Sequence, residues 1–173
     1  MSEERTPADS QLGRGMLYAG WILVLMTLAF FFADFEKSKQ NPNRNLQGTA
    51  GNVNEVILQK NAYGHYVFTG LANGKEVEFL LDTGASRVVF TEKQAAELGL
   101  EKGFRMRVNT ANGEIWSYST QLDRLEIGSI VLYDVVASIN PHMEVEALLG
   151  MTALGDLEWS QRGDQLTIRQ PNN

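Results

Sequence analysis

The sequence predicts an all-β domain with one or two short helices, carried behind a single apolar helix. Two observations predict it: residues 16–33 contain no charged side chain, and from residue 53 onward short apolar segments alternate with turn residues at strand spacing. A third narrows the choice, because 173 residues of which 43% are hydrophobic leave room for one ordinary domain plus an appendage.

The appendage comes first. As a helix, the uncharged run would span about 27 Å, close to the thickness of a hydrocarbon core, and residues 16–35 are assigned as a transmembrane anchor. A cleaved signal peptide competes with this reading, but the run is long for one and no small-x-small cleavage site precedes the polar segment. Charge does not orient the span, since Arg5 and Arg14 before it face Lys37, Lys39 and Arg44 after it. Residues 36–51 are rich in Asn, Gln, Pro and Gly and nearly devoid of apolar side chains, which predicts a flexible linker. An ordered arm joining a sheet is the alternative for its last few residues.

Within the domain, residues 52–173, segments 53–60, 63–69 and 77–81 read as strands, with Asn73-Gly74 as a hairpin turn between the last two. Residues 87–90 form a short buried strand. Thr91 to Gln94 resembles a capping box that opens a short helix through Leu98, and Gly99 stops it. Segments 105–108 and 115–122 then make a hairpin, and 125–127, 130–136 and 166–169 supply further strands. No internal repeat is present. Arg162-Gly163-Asp164, between Trp159 and Leu166, reads as a hairpin turn rather than an adhesion motif.

The strand at 77–81 runs straight into Asp82-Thr83-Gly84-Ala85-Ser86. A carboxylate at the end of a buried strand is costly to ionise, which suits a group that exchanges protons during catalysis. The Thr83 hydroxyl can hydrogen-bond across a neighbouring loop, Gly84 lets backbone N–H groups approach the carboxylate, and Ser86 serves as a hydrogen-bonding support. The tripeptide alone is a weak signal. A second apolar pair closed by glycine, Leu148-Leu149-Gly150-Met151, lies far along the chain.

Together with Thr110-Ala111-Asn112-Gly113, these segments resemble the retropepsin-like aspartic protease family, specifically its bacterial membrane-anchored, single-lobe members. The resemblance covers most of residues 53–168. It implies a closed-barrel acid protease fold in which Leu149 and Gly150 pack beneath the catalytic loop and a short helix follows. It implies Asp82 as the catalytic residue, with Thr83, Gly84, Ala85, Ser86, Leu149 and Gly150 in support. Only one such acidic triplet is present, and the mechanism needs two carboxyls sharing one proton, so the resemblance implies a homodimer pairing two Asp82 side chains. It also implies a cytoplasmic segment 1–15, a single pass through a bacterial inner membrane and a periplasmic protease domain. The absence of cysteine permits that side without requiring it.

The hairpin at Thr110, Ala111, Asn112 and Gly113 has two readings: a flap that closes over a peptide, or an ordinary Asn-Gly turn. Trp116 and Tyr118 beyond it either line the cleft or pack, and Glu146 beside the second motif either reaches the cleft edge or is solvated. No metal site and no cofactor are expected, since His65 and His142 lack ligand-spaced neighbours. Ser86 has no nucleophile elbow around it. A net charge of −6 argues against a nucleic-acid partner. The expected partners are a second copy, a peptide or protein substrate and the lipid bilayer; the expected function is endopeptidase, with a non-cleaving peptide-binding module on the same fold as the alternative.

Overall fold

The computed structural model describes residues 7–46, 54–110 and 113–171, and the chain divides into two units, Met1–Lys39 and Gln40–Asn173. The first is helix α1, Pro7–Gln40. Its stretch Arg14–Gln40 is long and apolar enough to cross a membrane, and none of it is buried. Met16, Trp21, Leu25, Phe30 and Phe32 are exposed on several sides of it rather than along a single core-facing stripe. Lys37 and Lys39 in the last turn complement the negative end of the helix dipole.

Among the described residues, the second unit is built from ten strands and two short helices. Strands β2 (Val67–Ala72), β3 (Lys75–Leu81), β8 (Ala147–Leu149), β4 (Val88–Thr91), β7 (Ile130–Asn140) and β6 (Gly113–Ile127) lie side by side in that order. Pairing of Leu71 with Glu126 and Ala72 with Leu125 joins β2 to β6 and closes the ring into a barrel. Strand β5 (Arg105–Thr110) pairs with the near end of β6 and stands off the ring as a hairpin arm. A separate sheet places β10 (Gln165–Gln170) between β1 (Asn54–Gln59) and β9 (Glu158–Arg162).

One core serves both sheets. Val77 and Phe79 alternate with the exposed Glu76 and Glu78 along β3, as period-2 patterning requires. The Phe79 ring stacks on Phe68 at 5.5 Å and meets Phe90 edge-on at 5.9 Å. Leu122, Ile127, Ile139 and Leu149 fill in around them, with Leu58 and Ile168 entering from the second sheet. The barrel and the small sheet are thus held by shared apolar burial.

Most elements fall where the sequence places them. Asn73 and Gly74 both adopt positive φ, 48° and 79°, as a tight hairpin turn demands. Helix α2, Glu92–Leu98, is capped by Thr91 Oγ1, which accepts from the Gln94 N–H at 3.1 Å, and ends at Gly99. The Arg162-Gly163-Asp164 turn joins β9 to β10.

Other boundaries differ for identifiable reasons. Residues 63–66 form a turn instead of the start of β2, because Asn61 Oδ1 accepts from the N–H groups of Tyr63 and His65, each at 2.9 Å. Strand β6 runs unbroken through 113–127 instead of stopping after 122; the ladder skips only Asp123 and Asp134, where Asp134 has φ 54°. Strand β9 has every residue exposed and therefore no alternation by which to recognise it.

The largest difference concerns the linker assigned to 36–51. The helix continues through Gln40, and Asn41 and Asn43 are buried, 1% and 5% exposed. Asn43 Nδ2 donates to Gln59 O at 2.9 Å and Val67 O at 2.7 Å, while its Oδ1 accepts from the Gln59 N–H at 2.7 Å. Asn41 Nδ2 donates to Thr69 Oγ1 and Glu78 Oε2 at 3.1 and 2.9 Å. The Asn43 amide supplies hydrogen bonds to β1 and β2 backbone groups that a further strand would supply, and Asn41 adds side-chain bonds to Thr69 and Glu78, so a polar segment is ordered without apolar burial. Residues 47–51 lie outside the described residues. Asn43→Ala is expected to cost about 3 kcal/mol, since it strands a backbone donor and two acceptors of β1 and β2. A chain starting at Gly48 should show a loss at least as large relative to one starting at Gln40, read from urea unfolding.

Tyr66 carries a smaller cost. It is 8% exposed, and its hydroxyl has no hydrogen-bond partner among the described residues. Burial, with the Asp164 carboxylate adding to it, raises its pKa above the ordinary 10.0. The folded chain thus keeps this proton to higher pH than the unfolded chain, so stability is unaffected below that value and falls as pH rises above it. Tyr66→Phe is expected to gain about 1 kcal/mol and to blunt the alkaline decline, checked by urea unfolding at neutral and alkaline pH.

Candidate active site

Strand β3 delivers Asp82 to the end of the barrel, and the parallel partner β8 holds it there. Phe79, Leu80 and Leu81 pair with Ala147, Leu148 and Leu149, and the Asp82 N–H donates to Leu149 O at 3.1 Å. The loop then folds back on its own carboxylate: the Gly84 N–H donates to Asp82 Oδ1 at 2.8 Å, and the Ala85 N–H to Asp82 O at 3.2 Å. This fixes one carboxylate oxygen and leaves the rest of the group facing outward. Asp82 is half-buried rather than enclosed at the end of a buried strand, and Thr83, Gly84 and Ser86 are exposed.

Leu149 and Gly150 lie beneath this loop. A β-carbon on Gly150 would sit 2.1 Å from Arg87 O and 2.6 Å from Ala85 O, distances that only glycine tolerates. Helix α3, Met151–Leu154, starts at this point. Its first N–H, from Met151, donates to Ala85 O at 2.9 Å, and Thr152 Oγ1 accepts from the Val88 N–H at 3.0 Å while donating to Val136 O at 2.8 Å. The Asp82 loop is therefore braced on the helix as well as on the strand.

A cavity of about 390 Å³ opens in front of Asp82. Gly84, Ala85 and Ser86 border it on the loop side; Val108, Asn109, Thr110 and Ile115 border it from the β5–β6 hairpin. The hairpin and the Asp82 loop thus border the same cavity. Thr110 pairs with Gly113 and donates from Oγ1 to Gly113 O at 2.8 Å. Ala111 and Asn112 lie outside the described residues, and Gly113 does not border the cavity. Thr83 also faces away from it.

Trp116 and Tyr118 occupy the opposite face of the hairpin from Ile115 and Ser117, which do border the cavity. The Trp116 ring carries the Arg105 guanidinium at 4.0 Å and that of Arg107 at 5.0 Å, and Lys102 lies 4.8 Å over Tyr118. These rings pack against cations outside the cleft. Glu146 does not reach the cavity either; its carbonyl accepts from Thr91 N–H, and it borders a separate depression beside α2. Ser86 makes no hydrogen bond to another described residue, so the support expected of it comes from the Ala85 and Met151 backbone instead.

Sequence reasoning missed Arg87, Val89, Ser117, Ser138 and Asn140, all of which line the cavity. Ser117 and Ser138 are 2% and 4% exposed, and the Ser117 hydroxyl donates to Ile139 O at 2.8 Å. The period-2 relation of Ser117 to Ile115 was the one available signal. A second, open groove of about 820 Å³ adjoins the first, and among the described residues Arg87 is the one common to both.

A barrel whose glycine-held acidic loop rests on a parallel apolar-apolar-Gly strand, with a hairpin bordering the same cavity, defines one lobe of an acid protease. Residues 68–156, just over half of the chain, match the family described as "gag-polyprotein putative aspartyl protease", and the chain belongs to the retropepsin-like aspartic proteases. A solved retropepsin-like aspartic protease from Rickettsia conorii superposes with a TM-score of 0.61 over 73% of this chain and 96% of its own, at 24% identity, and so shares the fold. An uncharacterized protein in the cobV 5′ region of Sinorhizobium sp. is 36% identical over 120 residues, 66% of this chain and 52% of that protein. An uncharacterized protein of Rickettsia prowazekii (strain Madrid E) is 28% identical over 120 residues, 68% of this chain and 46% of that protein. The chain spans about half the length of these curated relatives.

Proposed function

We propose that the chain is an endopeptidase working as a symmetric homodimer, in which Asp82 and the partner's Asp82 activate one water between them. One carboxylate takes a proton from the water as its oxygen attacks the scissile carbonyl carbon. The other, protonated, hydrogen-bonds the carbonyl oxygen. The tetrahedral adduct then collapses, the C–N bond breaks, and the nitrogen leaves with a proton from the dyad. Carboxylic acid and amine are the products.

The observation that carries this reading is the half-buried Asp82, fixed through one oxygen by Gly84 and open to a cavity that a hairpin also borders. The exposed Thr83 suits a hydroxyl that braces a partner's loop. We further propose that residues 16–35 hold the enzyme in a bacterial inner membrane, with segment 1–15 cytoplasmic and the protease domain periplasmic. The length and apolarity of α1 support the anchor.

The test is incubation of the detergent-solubilised full chain with a diverse peptide library from acidic to neutral pH, with products read by mass spectrometry. Internal cuts that disappear in Asp82→Asn are expected. A folded, dimeric sample that cuts nothing would contradict the proposal and favour a non-cleaving binding module.

A further inference from the structure

Arg87 borders both the Asp82 cavity and the open groove of about 820 Å³ beside it. Among the described residues it is the one that lines both. Among the described residues that line the Asp82 cavity, Arg87 is the sole cation and Asp82 the sole anion. Arg87 is half-buried as a residue, and its side chain makes no ion pair or hydrogen bond among the described residues, Asp82 included. By contrast, Arg105 and Arg107 lie over Trp116, and Arg107 also pairs with Glu114 at 3.3 Å. Arg124 and Arg169 pair with Glu126 and Glu55.

A guanidinium with no partner among the described residues presents a planar fork of donors that matches a carboxylate bidentately. Its surroundings do not satisfy it. The outer groove contributes Glu101 and Asp123, neither paired with it, and Lys102, whose ammonium is engaged by Glu92. The domain sits in a chain of net charge −6, which repels acidic peptides in general, so a local cation is what would admit one.

We propose that Arg87 is a specificity-determining residue that receives an Asp or Glu side chain of the peptide within about three residues of the scissile bond. The limit follows from its place in the same cavity as Asp82, since an extended peptide advances about 3.3 Å per residue. The inference rests on the proposed peptidase reading for its cleavage consequence, although the recognition itself needs only that the cavity binds peptide. A two-fold dimer brings a second Arg87 to the other side of the cut. The acidic preference therefore falls at symmetric positions on both sides.

Matched peptides differing only in Glu or Gln at each position flanking a known cut are to be compared in the full chain, in Arg87→Gln, in Arg87→Lys and in Arg87→Glu. In the wild type the Glu peptide is expected to have roughly tenfold the kcat/KM of its Gln counterpart at one position on each side. That ratio falls to about one in Arg87→Gln, is partly kept in Arg87→Lys, and in Arg87→Glu shifts toward peptides bearing Lys. A wild-type ratio near one, or a ratio unchanged in Arg87→Gln, would overturn the proposal. Binding of the same peptides with a reduced, uncleavable bond, followed by fluorescence anisotropy, separates the two readings. A Glu preference in binding without any cleavage would sustain Arg87 as a recognition residue and sink the peptidase. Equal binding of Glu and Gln forms would sink the Arg87 assignment alone.

Discussion

Asp82→Asn is expected to lower kcat by about a thousandfold or more while leaving the folded domain, its pairing and peptide affinity nearly intact. Asparagine keeps the size of the side chain and its Oδ1 still accepts the Gly84 N–H that fixes Asp82 at 2.8 Å, so the loop has no reason to move. What it loses is the capacity to take and return a proton, a contribution that general acid–base groups commonly make at two to four orders of magnitude. The loss should appear in kcat and kcat/KM alike, with KM changed little, because the removed interaction operates in the transition state. Steady-state kinetics beside circular dichroism and sedimentation would check it. A loss of only a few-fold would mean that Asp82 is not the proton-transfer group.

Gly150→Ala is expected to be the most disruptive single methyl in the domain. The added carbon would meet the backbone carbonyls of Arg87 at 2.1 Å and Ala85 at 2.6 Å, and neither can swing aside as a side chain would. Both carbonyls belong to the loop that carries Asp82, and the Ala85 carbonyl also accepts from Met151 N–H. Relief therefore means separating β8 and α3 from that loop. The cost is about 4 kcal/mol, comparable to the worst overpacking of a core. Gly84→Ala is the instructive contrast, because its added carbon meets only the Asp82 carboxylate, at 3.1 Å. It should cost less stability than Gly150→Ala but turn the carboxylate and lower activity. Thermal unfolding of the two variants, with peptidase assays on whichever folds, separates bracing of the loop from chemistry at its tip.

The contrast indicates what a sequence can disclose. The Asp82 loop was legible as a local run of residue types, and the Leu149-Gly150 segment through its resemblance to a family motif. The hairpin at Asn73-Gly74 and the cap at Thr91 were likewise legible as local runs. The cavity walls were not: Val89, Ser117 and Ser138 come from β4, β6 and β7, and only the barrel topology makes them neighbours. Trp116 and Tyr118 show how little separates the two faces of a strand, since a shift of one residue exchanges cleft for exterior. The segment at Asn41 and Asn43 was misread for a different reason. Its composition lacks apolar surface, but the Asn43 side-chain amide fits open backbone groups of β1 and β2, and composition does not register that match.

The claim on which the rest depends is that one chain supplies half of a site. Wild-type chain mixed with increasing Asp82→Asn at constant total concentration, with subunit exchange allowed to reach equilibrium, tests it most directly. If both carboxylates are needed, mixed dimers are inactive and peptidase activity falls as the square of the wild-type fraction. A fall in direct proportion to that fraction would show that each chain carries a complete site and would contradict the account.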